Sequence, residues 1–373
     1  GAAAAGARAA AVPPSRLGGT SELEALGRAS QLVCDTVAHD ASHLPAKLTA
    51  AAVGARVLTG ILRNPAAMGR YETAIEAALT YGPCLELEGA ARTACSLDKA
   101  VVNVGAQFAA EVPGRVSTEV DPRLAGDADA LVARVRRLID LYAEMGVGLD
   151  RLLFRVPATW EGIQAIRQLE ADGVQCLATL VYSFVQCAAA AQAGASLVQV
   201  YVGRVRDWYA AHPNFPRDPQ GPREDSGAVS TVDPGFRLVE HCFNYCGQRH
   251  PGTKVMAAGI RSKDDALRMA GCDFIVLSER IMNELASSAT MEGYNDGLHA
   301  TASGRGTQVF LLKGAAEQAE FAPGDLEEIR SKEDFDQRLD MCGKELLESS
   351  LRLYAEDMEE LEPYFTHLSS SAQ

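Results

Sequence analysis

Short apolar runs rich in β-formers alternate with stretches of helical period along most of this chain, and that alternation restricts the fold more than any other feature. Gln31–Val37 reads as the first strand, and the small-residue stretch Pro45–Ala52 as an ambiguous second. Arg115–Val120, Leu152–Val156, Cys176–Val181, Leu197–Val202, Lys254–Gly259 and Phe274–Leu277 follow. Helical patterns lie between them. Asn64–Tyr81 carries apolar residues at Ala67, Tyr71, Ala74 and Ala78, and Asp127–Met145 at Leu131, Val135, Leu138, Ile139 and Tyr142. Further helices are predicted over Asp98–Val112, Thr159–Asp172, Gly235–Gly247 and Asp264–Gly271. Strict alternation of this kind calls for parallel strands joined by crossover helices. Eight such units in about 300 residues suit a closed (β/α)8 barrel, whose functional groups sit at the C-terminal strand ends. The polar residues near those ends are Asp35, Glu119, Arg155, Thr179, Arg204 and Arg261.

Arg155 stands in the middle of a five-residue apolar strand in D-R-L-L-F-R-V-P-A-T-W-E-G, residues 150–162. An isolated cation there is costly unless it is paired. Arg155 therefore lies either on a polar face or inside a site with carboxylates. Pro157, with no N–H to give, ends the ladder. Thr159 offers an N-cap to the helix that follows. In the preceding strand Ser117 and Glu119 share one face.

The chain is acidic, with a formal net charge of −14 and no basic block, which argues against nucleic acid and anionic membranes as partners. No charge occurs from Gly173 to Gly203. The glutamines, serines and internal glycines in that stretch fit a buried α/β layer better than a lipid-spanning helix. Nine cysteines are scattered without secretory context and are expected to be reduced thiols. Cys242 and Cys246 lie one helical turn apart beside His241 and His250, but this is ordinary for buried helix cysteines, and no metal is expected. Residues 1–19 have the composition of a transit-peptide remnant, with a disordered leader as the alternative. The rest, 20–373, is expected to form one barrel domain, closed by acidic helices over 325–367.

Five blocks carry a resemblance: P-G-R-V-S-T-E-V-D (113–121), D-R-L-L-F-R-V-P-A-T-W-E-G-I (150–163), T-L-V-Y-S-F-V-Q (179–186), V-G-R-V-R-D-W-Y (202–209) and M-A-A-G-I-R (256–261). In their order and spacing the chain resembles the transaldolase family, most closely its plant and algal plastid branch. The resemblance implies a (β/α)8 barrel that moves a dihydroxyacetone unit between sugar phosphates through a lysine Schiff base, with no cofactor or metal. It implies a chloroplast location, with the cytoplasm as alternative. By position, Asp35 matches the acid of the first strand. Glu119 and Thr179 match the pair that holds the catalytic water. Arg204 and Arg261 match the arginines that grip the substrate phosphate, for which a fixed forked donor is well suited.

The departures matter as much. The family's nucleophilic lysine falls on Arg155, and active-site asparagine and serine positions fall on Leu177 and Gln199. The asparagine after the first strand has no counterpart in L-P-A-K-L-T-A-A, residues 44–51. A Schiff base requires a neutral primary amine, which a guanidinium cannot supply. Three readings stay open. The chain is a transaldolase whose lysine was replaced, or a pseudo-transaldolase that binds a sugar phosphate or a partner protein, or an enzyme of different chemistry on a sugar phosphate using Glu119 and Asp35. In its structural reading Arg155 neutralises Asp35 and Glu119, and Arg204 and Arg261 make surface ion pairs. Lys47 and Lys254 are the relocated nucleophiles to test, although Lys254 begins its strand. A homo-oligomer is compatible with all three readings.

Overall fold

The structure is a computed structural model, and it describes residues 20–34, 44–45, 49–215, 233–290 and 319–371. Eight parallel strands run β1 (Gln31–Cys34), β2 (Ala51–Val53), β3 (Val116–Glu119), β4 (Leu152–Pro157), β5 (Cys176–Val181), β6 (Leu197–Tyr201), β7 (Lys254–Ala258) and β8 (Phe274–Leu277). They are hydrogen-bonded in the order β1-β8-β7-β6-β5-β4-β3-β2. The two ends of that order meet at a seam where the Thr49 hydroxyl donates to the Leu32 carbonyl, 3.0 Å. This is a nearly closed (β/α)8 barrel, as the alternation predicts.

The helices are α1 (Glu22–Ala29), α2 (Ala55–Arg63), α3 (Pro65–Leu79), α4 (Gly82–Leu85), α5 (Gly89–Glu111), α6 (Ala128–Glu144), α7 (Trp160–Ala171), α8 (Phe184–Gln192), α9 (Val202–Ala211), α10 (Pro234–Arg249), α11 (Lys263–Arg268), α12 (Glu279–Ala286), α13 (Lys332–Arg338) and α14 (Met341–Ser371). Every residue of β5 is buried, as expected of a parallel strand covered on both faces. The predicted stripes hold: Tyr71 of α3, and Leu131, Val135, Leu138 and Tyr142 of α6, are buried. Thr159 caps α7 by accepting from the Gly162 N–H. Inside the barrel Leu153, Leu177, Leu197, Met256 and Val276 pack into one another. Each side chain of this size contributes roughly 1.5–3 kcal/mol when buried.

Four expectations are corrected. The second strand is Ala51–Val53, at the end of the ambiguous stretch, because its only ladder is with Val116–Thr118. Strand β6 ends at Tyr201, one residue before the expected Val202, and Arg204 and Arg206 just past its end lie inside α9. The 325–367 region holds a short α13 and a long α14 that reaches Ser371. Seven cysteines are buried and outside any disulfide, but Cys84 and Cys95 form one. The corner between α4 and α5 brings their Cα atoms to 5.4 Å, a contact that a spacing of eleven residues does not announce.

Helix α14 does more than close the chain. Its first half packs on the ends of β5 and α9 through Leu346 and Leu347, against Leu180, Tyr182 and Trp208. Its second half packs on α2, α3 and α5 through Met358, Leu361 and Phe365. Arg123, just after β3, donates to Glu362 at 2.6 Å, and Trp208 donates to Glu345 at 2.7 Å. The helix therefore lies across the C-terminal mouth of the barrel. Among the described residues no helix is long and apolar enough to cross a membrane.

Candidate functional site

Parallel pairing sets Glu119 directly opposite Arg155, and Arg155 opposite Leu177, in the ladders of β3, β4 and β5. Arg155 Nη2 lies 3.4 Å from Glu119 Oε2, and both side chains are largely buried. The same nitrogen donates to the Val53 carbonyl at 3.0 Å, while Arg155 Nε is buried with no hydrogen-bond partner. The cation in the apolar strand is thus paired, as its cost requires. Burial raises the Glu119 carboxyl above its usual range. The guanidinium and the Ala55 N–H oppose that rise, whereas Asp357 and Asp121 add to it. Ala55 is the first residue of α2, whose own N-cap, Gly54, has no side chain to cap the helix. A Cβ at Gly54 would lie 2.7 Å from Glu119 Cβ, which leaves that position to glycine.

Two residues further along β5, Thr179 donates to Gln199 Oε1 at 2.9 Å. Tyr201 shares the inward face of β6 with Gln199, and its hydroxyl lies 3.3 Å from Thr179 Oγ1, from Gln199 Oε1 and from the Tyr354 hydroxyl of α14. Burial pushes the Tyr201 phenol well above its usual range. Burial raises the Tyr354 phenol, Glu119 adds to the rise and Arg155 opposes it, so this hydroxyl cluster and the ion pair sense one another. Sequence reasoning missed both tyrosines. Tyr201 was legible from the two-residue period that links it to Gln199. Tyr354 arrives from a helix more than 150 residues away and leaves no local signal.

Arg204 and Arg261 flank the start of α9. Arg204 donates to the hydroxyls of Tyr182, Ser350 and Ser349 at 3.3, 2.6 and 3.2 Å. Arg261 forms a forked pair with exposed Asp207, one arm at 2.7 Å. Its side chain crosses Gly203, where a Cβ would stand 2.6 Å from both Arg261 Nε and the Gly259 carbonyl. The N-cap of α9, Tyr201, makes no side-chain capping bond, so the positive end of the helix faces this corner.

The other candidates divide. Asp35 and Lys47 lie outside the described residues. Leu177 is a barrel-core side chain, and Ser117 Oγ is buried without a partner. Lys254 opens β7 at the opposite end of the barrel and donates to the Pro251 carbonyl, 3.0 Å. Cys242 and Cys246 are buried in α10, with Cys246 Sγ 3.8 Å from Cys187 Sγ. Among the described residues no three His, Cys, Asp or Glu side chains are placed to hold a metal ion. Beside the ion pair lies a small cavity bordered by Glu119, Asp98, Asp121, Arg134, Leu58 and Met358. Burial raises Asp98 to about 6, although Arg134 and Arg137 lie close and oppose the shift.

The chain as a whole has relatives among known proteins. The Transaldolase/Fructose-6-phosphate aldolase pattern matches residues 32–364. The transaldolase of Sus scrofa is 42% identical over 221 residues, and that of Homo sapiens is 41% identical over the same length. In both cases the match covers 59% of this chain and 63% of the relative, less than two thirds of its length. Transaldolase A of Escherichia coli (strain K12) is 37% identical over 225 residues, 60% of this chain and 68% of the relative. Because the pattern spans most of the barrel, this chain belongs to the transaldolase/fructose-6-phosphate aldolase family.

Proposed function

We propose that this chain is a transaldolase-like protein that binds a sugar phosphate in the barrel mouth but, with Arg155 where the family's lysine stands, does not form the Schiff base. The observation that carries this reading is the Arg155–Glu119 pair at the strand ends, 3.4 Å apart. In the family reaction a neutral amine attacks the ketose carbonyl, and an acid–base group moves protons to and from the carbinolamine oxygen. Glu119, beside Arg155, is the group for that proton transfer. Arg155 stays protonated and has no lone pair for the attack. It offers instead a fixed donor to a carbonyl or hydroxyl oxygen. Arg204 and Arg261 at the positive end of α9 supply the phosphate corner. Asp35 would add a carboxylate at the end of the first strand.

The alternative, a different reaction on the same sugar phosphate run by Glu119 and Asp35, uses the same pocket and differs in turnover. The test is calorimetry with fructose 6-phosphate, followed by an assay of transfer to erythrose 4-phosphate. The parent chain should bind without turnover, and the double change Arg204→Ala, Arg261→Ala should abolish binding. Binding that survives the double change contradicts the site, and turnover by the parent contradicts the loss of chemistry.

A further inference from the structure

Arg204 is distinguished by its company. Its neighbour Arg206 is held by Asp233 and Asp265, and Arg261 by Asp207. Arg204 is half-buried, yet among the described residues no carboxylate lies within ion-pair distance of it. Its three polar contacts are all hydroxyls, and its charge rests 5.5 Å over the Tyr182 ring. A half-buried cation braced by neutral groups still has its charge to satisfy, and the uncapped start of α9 beside it presents backbone N–H groups of the same sign.

The two serines differ in what they can do next. Ser350 is fully buried, and its oxygen is shared between Arg204, the Tyr182 hydroxyl at 2.6 Å and the Leu346 carbonyl at 2.6 Å. It braces the guanidinium and is spent in doing so. Ser349 is partly exposed, accepts from the outer nitrogen of Arg204, and spends its own proton on a 3.1 Å bond back to the Leu346 carbonyl. Such back-bonds within a helix are weak and easily exchanged. An anion drawn to Arg204 would meet that hydroxyl, which stands 3.2 Å from the guanidinium.

We propose that Ser349, on the C-terminal helix α14, is a further ligand of the substrate phosphate, completing with Arg204 a phosphate corner that no strand or loop of the barrel supplies alone. This rests on the sugar-phosphate reading above. It makes α14 part of the binding site rather than a cover, and ties phosphate affinity to the docking of that helix.

The test is calorimetry on the full chain with fructose 6-phosphate and with inorganic phosphate. Ser349→Ala should weaken both about tenfold, the size of one hydrogen bond to a charged group. Ser349→Thr, which keeps the hydroxyl, should bind within about twofold of the parent, on the same argument. Both variants should melt with the parent, because Ser349 braces nothing that Ser350 does not. If Ser349→Ala binds like the parent while Arg204→Ala loses both ligands, Ser349 is not a ligand and the site reading stands. If Arg204→Ala also binds like the parent, or the parent binds neither probe, the site reading fails and this inference fails with it.

Discussion

Glu119 and Arg155 face each other in register on adjacent parallel strands, with Oε2 and Nη2 3.4 Å apart, so the cation in the apolar strand β4 is neutralised by the acid beside it. The pair is largely desolvated, which makes either partner alone expensive. Glu119→Gln should therefore destabilise the fold by about 3 kcal/mol, because it leaves a buried guanidinium with only the Val53 carbonyl. Urea unfolding would read this. A variant as stable as the parent would show that Arg155 draws its compensation from elsewhere.

Gly54 is the second control point. Its absent Cβ makes room for Glu119. Gly54→Ala should cost about 1–3 kcal/mol, as overpacking does. It should also weaken fructose 6-phosphate binding, since Glu119 must shift. Unchanged stability together with unchanged affinity would mean that the strand end yields freely.

Asp98 gives a pH signature. Burial raises its carboxyl from an ordinary value of 3.8 to about 6 in the folded chain. A group whose pKa is raised on folding supports the fold fully below its unfolded value, and that support is lost as pH rises through the folded value. The parent should therefore lose stability between about pH 4 and 6, on the order of 2–3 kcal/mol from this one group. Asp98→Asn should remove that slope. Denaturant midpoints at a series of pH values decide it, and a slope that persists in the variant assigns it to Glu119 or another carboxyl.

Much of the barrel was legible because parallel strands buried on both faces read as uninterrupted apolar runs, as Cys176–Val181 does. The second strand was blurred because Ala51–Val53 is three small or branched residues with only β3 to pair with. Arg155 and Thr179 could be picked out because each is the polar residue of an otherwise apolar strand, and Glu119 because it is the one charge in β3. Tyr201 could have been found from its place two residues after Gln199. Tyr354, Ser349 and Ser350 could not, because an acidic amphipathic helix gives no sign of where its polar face will dock. The Cys84–Cys95 disulfide was hidden for the same reason, since it depends on how a four-residue helix turns into α5.

We propose that the barrel mouth has lost its nucleophile and kept its binding groups. The most direct test is borohydride trapping with fructose 6-phosphate, read by intact mass and peptide mapping, on the parent and on Arg155→Lys. In the variant, burial lowers the amine pKa while Glu119 favours the cation, so trapping should increase as pH rises. The account predicts no adduct on the parent, and on the variant an adduct at position 155. An adduct on the parent, at Lys254, Lys47 or any other lysine, would contradict it.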